Sequence, residues 1–224
     1  MQNDVYDYSV SGQVSGNTVL RKTYGLLALS FIPCALGAFA ASSTNFHIGG
    51  WGGLIAFFVF FYAMIFFIEK NRYSNVGAVL LMVFTFGMGA LLSPLLQYSM
   101  SISGGSKLVA TAALMTAAIF GLMSVLAQKA NFNSNSLGRF LGIGAIVLII
   151  AILANLFFKL PALSLAIAGV FVFFSSLMIM WQTRVVIEGG ENSHISAALS
   201  IFISLYNLFT SLLQILMALT GNDD

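Results

Sequence analysis

The residues that could do chemistry are concentrated near the carboxyl end of the chain, in two adjoining stretches. The first, SSLMIMWQTRVVIEGGENSHIS, puts Gln182, Arg184, Glu188 and His194 between two apolar runs. The second, SAALSIFISLYNLFTSLLQILMALT, repeats a hydroxyl or amide residue every three or four positions. Because this spacing matches the helical period, the repeated residues share one face of a helix, called here the polar stripe. Its members are Ser196, Ser200, Ser204, Asn207, Ser211 and Gln214.

Two roles fit the polar stripe. Lipid offers no hydrogen-bond partners, so in a membrane protein these groups must point into the helix bundle. There they could hydrogen-bond to other helices, at about 0.6 kcal/mol per contact. They could equally line a path for an ion or a proton. The stripe alone leaves both alternatives open.

The titratable groups argue against several classes of transporter. All seven acidic residues lie in tails or loops: Asp4, Asp7, Glu69, Glu188, Glu191, Asp223 and Asp224. Intramembrane carboxylates are the usual proton and cation relays, so their absence argues against a pump or a coupled transporter. Calcium prefers several carboxylate ligands, whereas only neutral oxygens are available at depth here. No metal site and no cofactor is predicted.

Three residues at one membrane surface could still respond to pH. His194, Glu188 and Arg184 lie together between the last two apolar runs, and a histidine there could act as a pH sensor. The simpler alternative is a solvated loop histidine. Arg184 could pair with Glu188 four residues on if the helix continues, or it could anchor the helix end at the headgroups.

Enzyme mechanisms find no support among the motifs. No Gly-x-Ser-x-Gly occurs, and the two histidines, His47 and His194, fall in predicted loops on opposite sides of the membrane. Residues 197–219 contain no lysine for a retinal Schiff base. The sequence therefore predicts a protein that is not an enzyme.

The elements that hold these residues must be membrane helices. The chain is 59% hydrophobic and only 7% charged, whereas soluble domains carry about 25% charge. A membrane helix needs about 20 mostly apolar residues, and seven stretches qualify. We predict an all-α bundle of seven transmembrane helices in contact with the lipid bilayer. The predicted spans are 24–42, 51–68, 76–97, 108–127, 140–158, 162–183 and 197–219.

The basic residues predict the orientation of the bundle. Seven of the nine lie near span ends on one side and two, Lys107 and Lys159, on the other. Basic residues favour the cytoplasmic side, so we expect the N-terminus inside and the C-terminus outside. Residues 1–20, rich in Ser, Gly, Asn and Gln, are expected to form a flexible cytoplasmic tail, and residues 21–224 the transmembrane domain. The net charge of +2 does not favour nucleic acid as a partner.

The chain resembles the Bax inhibitor-1 family of seven-helix membrane proteins, and within it the bacterial YccA-like branch. The match lies in ANLFFKLPALSLAIAGVFVFFSS with its KLPAL turn, the EGGENSH loop and the SLYNLFTSLL run. The resemblance implies a bundle with a central last helix, in a bacterial inner membrane. It also implies one of two activities: modulation of a membrane-anchored AAA protease of the FtsH kind in stress or membrane-protein quality control, or a pH-sensitive leak of calcium or another cation.

The resemblance assigns two positions in particular. Leak members of the family carry a pair of carboxylates on the sixth and seventh helices. The corresponding positions here are Gln182 and Ser204. Since neither side chain titrates in the physiological range, the resemblance implies a weakened leak and favours the role of protease modulator.

Overall fold

The computed structural model describes residues 16–44, 50–129 and 132–220, and within these ranges the chain is helical with short connections. The predicted all-α fold is confirmed, and every predicted span falls within a helix. The helices are α1 Gly16–Ser43, α2 Gly50–Lys70, α3 Asn75–Ser101, α4 Gly105–Lys129, α5 Ser134–Phe158, α6 Pro161–Ile187 and α7 His194–Thr220.

The first helix begins earlier than the sequence predicts. α1 starts at Gly16, so residues 16–20 of the predicted tail are helical, and Val19 and Leu20 are buried. Residues 1–15, 45–49 with His47, 130–131 and 221–224 lie outside the described part of the chain.

Within the described residues, six helices are long and apolar enough to cross a membrane: α1, α3, α4, α5, α6 and α7. The shortest helix, α2 with 21 residues, is not among them. The structure therefore supports a bundle that crosses the membrane several times.

Local sequence signals explain where several helices begin and end. Asn133 caps α5, its side-chain oxygen accepting from the backbone N–H groups of Asn135 and Ser136. At the α5–α6 turn, Lys159 adopts a left-handed conformation with φ 50°, and Pro161 opens α6, where its missing N–H costs nothing. Gly189, with φ 77°, follows the end of α6, as glycine commonly does after a helix.

The last helix is the centre of the bundle. Among the described residues, α7 contacts α1, α2, α3, α4 and α6, whereas α5 contacts α6 alone. Leu205 and Leu212, which lie opposite the polar stripe, are as buried as the stripe residue Ser211. Helix α7 is therefore packed by other helices on both the stripe side and the opposite side, although α5 does not contact it within the described residues.

Two glycines let α1 and α3 approach at backbone distance. A Cβ atom added to Gly37 would lie 2.0 Å from the Phe86 carbonyl oxygen, and one added to Gly89 would lie 1.9 Å from the Cys34 carbonyl oxygen. Membrane helices associate mainly through such close packing. This pair of contacts therefore holds α1 against α3.

Candidate functional site

The two positions that the resemblance singles out, Gln182 and Ser204, are both buried. Gln182 on α6 is 6% exposed and Ser204 on α7 is 4% exposed. The Ser204 hydroxyl donates to the Ser200 carbonyl oxygen at 2.9 Å, within its own helix. Counting about 1.5 Å per residue from the α6–α7 loop, Ser200 lies closer than Ser204 to the depth of Gln182. All three side chains are uncharged, so none of them can exchange a proton near neutral pH.

The rest of the polar stripe is less uniformly buried than the sequence predicts. Ser196 and Ser211 are buried, Ser200 and Asn207 are half-buried, and Gln214 is exposed. The interior placement expected for the whole stripe therefore does not extend to Gln214. The reason is that α5 packs on α6 only, which leaves this side of α7 uncovered.

The open side forms what we call the α5–α7 groove. Three adjoining cavities of about 540, 450 and 180 Å³ share Gln214 as a lining residue. One end of the groove reaches Lys159 and Asn155 at the α5–α6 turn, and the other reaches Asn207 in the middle of α7. The groove therefore combines an apolar floor on α6 with amide and hydroxyl groups on α7.

The WQTR segment at the end of α6, residues 181–184, ties α6 to three other helices. The Trp181 indole Nε1 donates to the Ser134 carbonyl oxygen at the start of α5, at 3.0 Å, and lies against Gly138. The Thr183 hydroxyl is 3.4 Å from the Tyr24 hydroxyl of α1. Arg184 Nη1 donates to the Ala127 carbonyl oxygen of α4 at 3.3 Å. These polar groups therefore hold α6 against α1, α4 and α5 at one end of the bundle. The sequence alone did not predict this structural role.

The predicted pH-responsive mouth contains an ion pair rather than a free charge. Arg184 Nε donates to Glu188 Oε1 at 2.6 Å, since α6 continues to Ile187 and brings the two side chains together. Glu188 Oε2 also accepts from the Ser134 hydroxyl at 2.6 Å. The hydrogen bond from Ser134, and then that from Arg184, lower the pKa of the Glu188 carboxyl. His194 is half-buried at the first position of α7.

We expect the Glu188 carboxyl to make stability depend on pH in the acid range. Because its pKa is lower in the folded state, the stabilisation is present above the unfolded pKa of about 4.3 and is lost as pH falls through the folded value. Thermal unfolding in detergent at falling pH should show wild type losing about 2 °C more than Glu188→Gln. Ser134→Ala should lose less stability on acidification than wild type, because it removes one of the hydrogen bonds that lower the pKa of Glu188. Identical acid profiles for wild type and Glu188→Gln would contradict the assignment.

A second polar cluster at the same end of the bundle joins α2 to α7. Arg72 pairs with Glu69, Nη1 to Oε2 at 3.0 Å, and with Glu191. Ser196 donates to Glu69 Oε2 at 3.0 Å, and Ser193 donates to the Arg72 carbonyl oxygen at 2.6 Å. A local pattern does not predict this cluster, because only Glu69 and Arg72 are neighbours in sequence and Glu191 lies 119 residues from Arg72.

Removing the central cation of this cluster should destabilise the protein. Arg72→Met leaves the carboxylates of Glu69 and Glu191 close together without a positive charge. We expect the free energy of unfolding to fall by about 1–2 kcal/mol. Lys70→Met is the control, because Lys70 is a neighbouring cation without an ion pair among the described residues. Equal stability of the two variants in detergent would show that the cluster is not stabilising.

The described residues contain no group of three or more His, Cys, Asp or Glu side chains that could hold a metal ion. The polar chemistry of the site therefore comes from amides, hydroxyls and surface ion pairs.

The chain is similar to several known bacterial proteins. A family model described as "Inhibitor of apoptosis-promoting Bax1" matches residues 16–221. An uncharacterized protein of Neisseria meningitidis serogroup A is 58% identical over 100% of both chains. A protein of Escherichia coli K12 named "Modulator of FtsH protease YccA" is 36% identical over 91% of each chain. A protein of Escherichia coli O6:H1, with the same identity and coverage, is named "Inner membrane protein YccA".

Proposed function

Since this chain belongs to the Bax inhibitor-1 family, we propose that it is a YccA-like inner-membrane modulator of a membrane-anchored AAA protease of the FtsH kind. The name of the Escherichia coli relative, 36% identical over 91% of the chain, supports this role. The role requires no catalytic group in the chain itself. It places the protein in the quality control of membrane proteins.

One structural observation favours this role over a proton-gated cation leak. Gln182 and Ser204 are buried and uncharged, so the positions where the leak members carry acids offer neither a titrating switch nor charge to attract a divalent cation. What remains at these two positions is neutral side chains packed in the interior. A bundle built in this way suits a protein that acts by contact with a partner.

The proposed arrangement has seven spans, with the N-terminus in the cytoplasm and the C-terminus outside. The seven-to-two split of basic residues supports this direction. The residues that precede α1 would then lie on the side where a membrane-anchored AAA protease carries its cytoplasmic domain, and would offer it a segment to grip. Reporter fusions after Asp224 should give an external signal, and a cytoplasmic signal would reject the number of spans or their direction.

Reconstitution with a membrane-anchored AAA protease tests the proposed function. Full-length chain and protease are placed together in lipid vesicles, and the degradation rate of a separate membrane substrate is measured. We expect the rate to fall in proportion to the fraction of protease that is occupied. A variant lacking residues 2–15 is the comparison, and it should modulate less if the protease grips the tail. An unchanged degradation rate at saturating full-length chain would refute the proposal.

A further inference from the structure

The α5–α7 groove exposes hydrogen-bonding groups at depths where lipid cannot satisfy them. Asn207 is thirteen residues from each end of α7, or about 20 Å at 1.5 Å per residue, so it lies midway across the membrane. Gln214 lies about 9 Å from the outer end of α7 and is exposed. Among the described residues, no hydrogen bond is formed by the side chains of Asn207, Ser211 or Gln214.

These groups specify the chemistry of what fills the groove. Acyl chains have neither donors nor acceptors, and headgroups cannot reach the depth of Asn207. Uncompensated amides in hydrocarbon are unfavourable, whereas a neighbouring helix with hydroxyl or amide side chains can pair with them. A peptide at this depth must itself be helical, because its backbone groups have to be satisfied internally.

A second copy of this chain fits the groove poorly. The helix beside the groove, α5, exposes only apolar side chains across its middle. A copy that docked through α5 would present methyl groups to the amides. Those exposed residues of α5 are Ile143, Ile146, Val147, Ile149, Ile150, Ile152 and Leu153.

The outer end of the groove adds a charge requirement. Lys159 lines it and is one of only two basic residues on that side of the chain. Asn155 lies beside it and donates to the Ser164 hydroxyl at 2.7 Å, but its own Oδ1 has no partner within the described residues. An occupant with an acidic residue at this level would complement Lys159.

We propose that the α5–α7 groove is the docking site for a transmembrane helix of the partner protein, with hydroxyl or amide side chains facing Asn207 and Gln214 and an acidic residue near Lys159. This inference rests on the proposed function, because it assigns the surface through which the chain contacts the membrane anchor of the protease. It places the contact within the bilayer, separate from any grip on the N-terminal tail.

Photocrosslinking in the reconstituted vesicles tests the docking site. A photoreactive amino acid replaces Leu165, which lines the groove on α6 and is 38% exposed. In a matched control it replaces Leu153 on α5, which is 50% exposed and not among the lining residues. We expect the Leu165 probe, and not the Leu153 probe, to crosslink to the transmembrane anchor of the protease.

Substitutions in the Leu165-probe background then test the chemistry. Asn207→Leu and Gln214→Leu replace each amide with an apolar side chain of similar size and so remove its hydrogen-bonding groups. Each should reduce the crosslinked fraction about threefold, and the pair about eightfold, as expected for one and two intramembrane hydrogen bonds. Lys159→Glu should also reduce it. Unchanged thermal unfolding of the variants shows that they remain folded.

The outcomes separate this inference from the proposed function. Crosslinks from Leu165 to lipid alone, or to a second copy of the chain, overturn the docking site even where substrate degradation still slows. Equal crosslinking from both probes, or no effect of the two leucine substitutions, also overturns it. Crosslinks to the protease anchor with an unchanged degradation rate support the docking site and refute modulation.

Discussion

Wild-type protein in calcium-loaded vesicles should pass little calcium, and the residual flux should be nearly constant between about pH 6 and pH 8. The physical reason is that Gln182 and Ser204 are buried, uncharged and unable to titrate in this range. Without a carboxylate at depth, nothing at the α6–α7 interface concentrates a divalent cation.

The double variant Gln182→Glu with Ser204→Asp should introduce calcium flux that depends on pH. Burial and mutual repulsion both disfavour the doubly charged form of two nearby carboxylates, so their protonation should change within the range that the assay covers. Each single substitution should do less, since it adds one acid without its partner. Flux is measured with a calcium dye inside vesicles of fixed composition.

A register control sharpens this experiment. Ser200 lies closer to the depth of Gln182 than Ser204 does, so Gln182→Glu with Ser200→Asp tests which serine pairs across the interface. Strong, acid-sensitive calcium flux through the wild-type protein would contradict the prediction. The titrating group would then have to lie elsewhere, and Glu188 and His194 at the end of the bundle would be the first positions to substitute.

Gly37→Ala should cost about 3 kcal/mol of stability, because the added methyl group meets backbone rather than a flexible side chain. Its Cβ would lie 2.0 Å from the Phe86 carbonyl oxygen, so α1 and α3 would have to separate. Thermal unfolding in one detergent measures the loss. The same reasoning applies to Gly89→Ala, whose Cβ would lie 1.9 Å from the Cys34 carbonyl oxygen.

The matched control is Gly25→Ala in the same helix. A Cβ at Gly25 has nothing within 4 Å, and alanine favours the helix by about 1 kcal/mol over glycine. This variant should therefore be as stable as wild type or slightly more so. Equal stability of Gly37→Ala and Gly25→Ala would mean that α1 and α3 can separate to admit the methyl group without loss of stability.

Hydropathy was sufficient to predict the helices and the α5–α6 turn. Apolar runs of about 20 residues must be helical in lipid, because only a helix satisfies its own backbone groups within one segment. Pro161 identified the start of α6 for a similarly local reason, since proline is tolerated at the first helical position. The start of α1 at Gly16 escaped prediction because its first turns are polar, and only contact with other helices buries Val19 and Leu20.

The amino-acid sequence by itself determined three things. The chain forms membrane helices, the polar residues of α7 share one face, and positions 182 and 204 carry neutral residues, Gln182 and Ser204, rather than acids. Only the tertiary structure decided what covers each face: Trp181 and Arg184 bind backbone on α5 and α4, while Gln214 is left open beside a peripheral α5. Periodicity states which side chains point the same way. The helix that they meet depends on close approach and hydrogen bonds between segments far apart in the chain, and neither is written in a local pattern.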